Sequence, residues 1–188
     1  KLMNELATSY LTIETQAGLL KTNRAKNGVT VNFGPAYDKW DTIPLTEEKD
    51  TLHLDISEGN LSDPVCINIG NPHLVFFVDN LESIPLTELG PKLEHNALFP
   101  ERTNVEIVQV ITKNHLKVNV WERGAGITQA CGTGACAALV AACRRGIGER
   151  SGEVEMPGGI LEVEWLEDNQ VLMTGPAAIS FRGMWQLL

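Results

Sequence analysis

Apolar and polar residues alternate along much of this chain, the period-2 pattern of half-buried strands. Residues 10–15 and 29–33 follow it, with turn signals at Asn27-Gly28 and Gly34-Pro35. Residues 105–111 and 116–122 form a predicted hairpin around Thr112-Lys113-Asn114-His115. Leu116, Val118 and Val120 fall on one face of its second strand, Lys117 and Asn119 on the other. A second predicted hairpin joins 160–166 to 171–174 through Glu167-Asp168-Asn169, and 179–185 reads as a final strand. An apolar strand at 65–69 leads into a polar turn, Gly70-Asn71-Pro72-His73.

Two stretches break this rhythm. Residues 86–95 read as a helix, weakened by Gly90-Pro91. A second helix is predicted from about Gly134 to Arg145, with Gly146 as its C-terminal stop. Positions 135–143 are apolar on every face, the mark of a helix buried all round. A buried helix among strands implies an α+β layout. Residues 38–50 are polar, are broken by Pro44, and read as a loop or linker.

Composition narrows the classes of function. The chain has 188 residues, 43% of them hydrophobic, enough to bury a real core. Its net charge of -9, with no basic cluster beyond Arg144-Arg145, argues against nucleic-acid or anionic-membrane partners. Residues 124–143 carry no charge, but their glycines, threonines and glutamine make them a poor membrane span. Four cysteines without paired short spacings do not suggest a disulfide framework and point to a reducing cytosol.

Candidate chemistry centres on Cys131, set between small residues where a loop becomes the apolar helix. Free amides and the positive helix end there favour a thiolate, and the amides of Gly132, Thr133 and Gly134 can hold a carboxylate or phosphate. Equally, Cys131 reads as a small buried hydrophobe at a tight turn. Cys66, Cys136 and Cys143 read as core, and no cysteine spacing matches a common metal pattern. Asn71 follows a buried strand, where ligand-binding side chains often sit, or simply makes an Asn-Pro turn. His73 can tune a proton-transfer group or be a satisfied structural histidine. Asn104 faces a site or caps a turn. Arg123, at the end of a strand beside Glu122, suits a carboxylate or a surface ion pair.

Taken together, GNPH at 70–73, FPERTN at 99–104 and ERGAGITQACGTGACAA at 122–138 resemble the diaminopimelate epimerase family in order and spacing. The resemblance implies two similar α+β lobes, each a curled, mainly antiparallel sheet around a central buried helix, with the site between them. It implies interconversion of L,L- and meso-diaminopimelate, without cofactor or metal, by two cysteines on opposite faces of the α-carbon. The implied setting is lysine and peptidoglycan precursor synthesis in the cytoplasm, by a homodimer.

Carried over by motif, Cys131 is the second-lobe acid/base. Asn71, Asn104, Glu122, Arg123, Gly132 and Thr133 contact substrate, and His73 and Glu122 set cysteine protonation. Thr133 stands where serine is often found, which keeps the hydroxyl.

The family's first cysteine lies in a Cys-Gly-Asn-Gly motif that this sequence does not contain. Residues 1–33 and 177–188 then correspond to a remnant of the first lobe, and 34–176 to the second. On that reading this chain alone is not expected to epimerise. A racemase of the same fold acting on another amino acid, and a non-catalytic module that binds carboxylates, remain as alternatives.

Overall fold

The computed structural model describes Met3 and residues 6–15, 18–179 and 183–184. The expected strand at 179–185 lies largely outside the described residues. The predicted alternation produces strands β1 (Tyr10–Thr15) and β3 (Gly28–Pro35); β2 (Gly18–Ala25) lies between them, and the short pair β4 (Ser57–Glu58) and β5 (Leu61–Ser62) comes next. There follow β6 (Val65–Asn68), β7 (Pro72–Phe77), β8 (Asn104–Thr112), β9 (His115–Glu122) and β10 (Gly126–Ile127). The last three are β11 (Ser151–Met156), β12 (Gly159–Trp165) and β13 (Gln170–Gly175).

Apart from β4 and β5, these strands form one sheet in the order β1-β2-β3-β13-β12-β11-β9-β8-β7-β6, with β10 folded back on β9. Pairing is antiparallel except between β7 and β8 and between β9 and β11. Both predicted hairpins form, β8–β9 and β12–β13. Sequence reading missed β2, β7 and β11 and the two-residue strands β4, β5 and β10. Pro72 disguises the start of β7, whose residues are buried up to Phe76 and so do not alternate.

Two helices pack on opposite faces of the sheet, α1 (Leu86–Glu94) and α2 (Gly132–Arg144). Strand alternation sorts the side chains between them. Val65, Ile67, Val75 and Val108 join the α2 core, whereas Cys66, Leu74, Phe76, Val105 and Ile107 join the α1 core. α1 runs on through Pro91 because Leu86, Leu89 and Leu93 form one buried stripe. α2 is buried from Gly134 to Ala142, as its uniform apolarity predicts, but begins at Gly132, two residues earlier than expected.

The polar stretch 38–50 is a loop docked on the α1 core by Ile43 and Leu45. Gly28 is needed where it is: its φ is +151, and a Cβ there would lie 1.9 Å from the Gly175 carbonyl of β13.

Candidate active site

The site gathers at one end of the central strands. β6 turns at Gly70 and Asn71 into β7, β8 begins at Asn104, β9 ends at Glu122, and α2 begins after Cys131. The turn from β9 to β10 uses left-handed backbone at Gly124 (φ +77) and Gly126 (φ +82), which glycine supplies without strain. It folds Ile127 back on Trp121 and leaves Glu122 and Arg123 at the rim.

Cys131 is the N-cap of α2, with extended backbone. It is 7% exposed, and its Sγ lies 3.6 Å from the Thr133 hydroxyl. The helix end was expected to favour a thiolate; the structure reverses that balance. Burial pushes the Cys131 pKa up to about 11, and the nearby Glu106 carboxylate adds to the rise. The Thr133 hydroxyl and the Gly134 amide pull down, Glu122 pushes up, and burial wins. At neutral pH the resting group is therefore a thiol.

Behind the cysteine lies a buried polar chain. His73 Nδ1 is hydrogen-bonded to Glu106 Oε1 at 2.7 Å, and His73 Nε2 is 2.9 Å from Asn71 Oδ1. His73 and Glu106 are both fully buried. Period 2 puts Glu106 on the α2 face between Val105 and Ile107, which face α1. Glu106 then reaches α2 because residue 134 is glycine. A Cβ on Gly134 would lie 2.8 Å from Glu106 Oε1 and 3.3 Å from Cys131 Sγ.

The structure uses both ends of the Asn104 amide internally. Its Nδ2 donates to the Pro72 carbonyl (3.0 Å), and its Oδ1 accepts from the Arg123 N–H (2.9 Å), tying β7 to the end of β9. Arg123 is exposed and donates to the Glu101 carbonyl at 2.9 Å. Glu122 accepts a short hydrogen bond from the Thr128 hydroxyl. Gly132 packs against Met173 and Phe33, where a Cβ would lie 3.1 Å from the Met173 sulfur.

Asn71, His73, Glu122, Thr133 and Cys131 are thus brought into one neighbourhood, with Asn104 behind it and Arg123 at its edge. Cys66 and Cys136 are core, as expected, and Cys143 is half-buried near the far end of α2.

Sequence reading missed two residues of this region. One is Glu106, whose signal was a lone acid inside an apolar strand. The other is Glu94 of α1, whose carboxylate accepts from Trp121 Nε1 (2.7 Å) and from the Gly124 N–H (3.0 Å). It therefore holds the turn that carries Glu122 and Arg123. Among the described residues, no group of three His, Cys, Asp or Glu side chains is placed to hold a metal ion. No helix among them is long and apolar enough to cross a membrane.

The loop-to-helix cysteine and its polar neighbours fall inside a matched family model, diaminopimelate epimerase, which covers residues 65–180. The chain belongs to the diaminopimelate epimerase family. It is 52% identical to the diaminopimelate epimerase of Rhodospirillum centenum over 174 residues, 92% of this chain and 60% of that one. It is 49% identical to that of Erythrobacter litoralis over 172 residues, 91% of this chain and 64% of the relative. The chain thus spans less than two thirds of the length of these two relatives, and 68% of the enzyme of Phenylobacterium zucineum, to which it is 48% identical.

Solved structures agree on the fold. A phenazine biosynthesis protein from Enterococcus faecalis superposes with a TM-score of 0.64 at 15% identity, covering 99% of this chain and 69% of its own. A hydroxyproline epimerase from Agrobacterium vitis gives 0.61 at 16% identity, covering 89% of this chain and 57% of its own.

Proposed function

We propose that this diaminopimelate epimerase family chain carries one half of a two-cysteine proton-transfer site for the α-carbon of diaminopimelate. The supporting observation is Cys131. It is a thiol at the N-cap of a buried helix, beside the Thr133 hydroxyl and the Glu106–His73–Asn71 chain.

The chemistry demanded is severe. An amino-acid α-proton is weakly acidic, so the site must stabilise the carbanion as the proton leaves. Amides at the start of α2, from Gly132 and Thr133, present donors to the α-carboxylate, and one such donor is worth ~10²–10³ in rate. Asn71 and Arg123 supply further donors, with Glu122 as a counter-charge for the substrate's ammonium groups. Asn104 holds Arg123 in place behind them. In one direction Cys131 gives its proton to the carbanion and becomes a thiolate. In the other, the thiolate takes the α-proton and returns to thiol. Binding of a cationic ammonium group beside Sγ lowers the thiol's pKa toward the working range. His73 and Glu122 bias the same equilibrium.

Inversion needs a second acid/base on the opposite face. Cys66 and Cys136 are fully buried, and Cys143 lies near the other end of the helix. On this reading the chain alone does not epimerise. Residues 1–33 and 177–188 belong to a first lobe and 34–176 to a second, in a cytoplasmic homodimer that serves lysine and peptidoglycan precursor synthesis.

The test is to incubate the chain with each diaminopimelate isomer in D₂O. Saturable binding without interconversion is expected, and efficient interconversion by this chain overturns the half-site reading. Tighter binding of proline or hydroxyproline than of diaminopimelate would move the substrate to the racemase alternative. In a full-length relative, replacing the cysteine equivalent to Cys131 with alanine should abolish turnover.

A further inference from the structure

Among the described residues, Glu106 is the one fully buried acid in the α2 core, and the half-site chemistry above gives it no step. A carboxylate without water is costly unless positive charge or donors face it. Its Oε1 is 2.7 Å from His73 Nδ1, the length of a charge-assisted hydrogen bond. Its Oε2 is buried and has no hydrogen-bond partner. The carboxylate also rests against Gly134 in the first turn of α2, where the positive end of the helix dipole lies. On the other side of the ring, His73 Nε2 meets Asn71 Oδ1, an acceptor, at 2.9 Å. Each ring nitrogen therefore faces an oxygen, and a histidine that donates from both nitrogens is an imidazolium. Once Asn71 Oδ1 is engaged in this way, Nδ2 remains on a half-exposed residue with no partner among the described residues.

We propose that Glu106 is a positioning residue. It holds His73 as an imidazolium and, through both ring protons, fixes the Asn71 amide with its N–H end free to bind a carboxylate. A buried negative charge is thereby converted, across one ring, into a donor at the rim. The ligand named rests on the proposed diaminopimelate reading; the protonation of His73 and the orientation of Asn71 do not. Among the described residues, the other ionisable groups that interact with Glu106 are the Cys66 thiol of β6 and the Cys131 thiol of α2, with Arg144 beyond the first and Glu122 and Cys136 beyond the second. None of the thiols supplies a positive charge, which leaves His73 as the cation in direct contact with Glu106.

The experiment is nitrogen-15 NMR of the histidine ring in this chain. His53, His95 and His115 are replaced by glutamine, so that His73 is the remaining ring. Both ring nitrogens should be protonated at pH 7. In Glu106→Gln, which keeps an acceptor for Nδ1–H, Nε2 should lose its proton by pH 7. Asn71 should then flip to donate to it, seen as a shift of its side-chain amide protons.

A neutral His73 at pH 7 in the unsubstituted pair overturns the proposal, even if Glu106→Gln does not fold. A ring that stays doubly protonated in Glu106→Gln does so as well. As a second readout, the Kd for L,L-diaminopimelate should rise about 10-fold or more in Glu106→Gln, the usual worth of one donor to a charged group. Absence of binding in both proteins refutes the substrate reading alone, because the ring protonation still decides the role of Glu106.

Discussion

Among the described residues, the Thr133 hydroxyl is the one that touches the proposed catalytic thiol, and removing it should make that thiol harder to ionise. In Thr133→Val the shape is nearly kept, but the contact between Thr133 Oγ1 and Cys131 Sγ at 3.6 Å is lost. That hydroxyl pulls the thiol's pKa down against burial and the charges of Glu106 and Glu122, which together set it at about 11. Losing a hydrogen bond to a charged group costs ~1.5–3 kcal/mol, so the pKa should climb by about one unit or more. The assay is the pH profile of Cys131 alkylation by iodoacetamide, with modified peptides resolved by mass spectrometry to separate Cys143.

Two pH units above an ordinary thiol lower the thiolate fraction at pH 7 ~100-fold. A more basic thiolate is also a better nucleophile, which recovers roughly a factor of ten of that. Cys131 should thus react about 10-fold more slowly than an ordinary thiol from ionisation alone, with its 7% exposure slowing it further. Thr133→Val should slow it by another ~3-fold and move the profile upward. A rate plateau below pH 9 in the parent chain, or a faster reaction in Thr133→Val, would show that the helix end outweighs burial and refute the reasoning.

Gly90→Ala should destabilise, although alanine is the better helix former by about 1 kcal/mol. Its Cβ would lie 2.5 Å from the Trp121 ring, and overpacking of that kind costs ~1–3 kcal/mol. An unchanged or raised urea midpoint would count against it.

Burial works to raise the Glu94 pKa, but donors from Trp121 and Gly124 and the nearby His95 and Arg102 hold it below the ordinary carboxylate range. Its folded pKa is depressed, so its stabilisation is present above the unfolded value near ~4.3 and fades as pH falls through the folded one. Glu94→Gln, which turns an N–H₂ toward one of those donors, should cost ~2 kcal/mol at pH 7 and less near pH 3. An equal loss at both pH values would contradict the assignment.

Burial also raises the pKa values of Cys66, Cys131 and Cys136. Unfolded thiols ionise first, near ~8.5, so stability should fall above about pH 9, by up to ~1.4 kcal/mol per pH unit for each thiol. Urea midpoints measured in reductant at pH 8 and pH 10 should show it. Cys136→Ala should show a slope shallower by one thiol's share; an identical slope would exclude that thiol as a cause.

Much of the fold was legible because it is local. The β8–β9 hairpin follows from Leu116, Val118 and Val120 alternating with polar neighbours, and α2 from a long uncharged run ended by glycine. Besides the two-residue strands β4, β5 and β10, those that escaped are β7, the largely exposed β2, and β11, where Glu153 and Glu155 alternate with Val154 and Met156 for only four residues. β7 is buried on both faces, and β2 and β11 are placed by their neighbours, β3 and β12, rather than by their own pattern.

The site divides in the same way. Cys131, Asn71, His73 and Arg123 stand out in sequence because glycines, prolines and polar residues mark the ends of strands. Family membership follows from those motifs. What the chain order does not contain is distance across the sheet. Glu106 is 33 positions from His73, and Glu94 is 30 from Gly124, yet each pair is in contact. Only packing brought them together. The state of Cys131 was decided there too: the helix end favours a thiolate locally, but desolvation depends on everything packed around the sulfur, and it prevails.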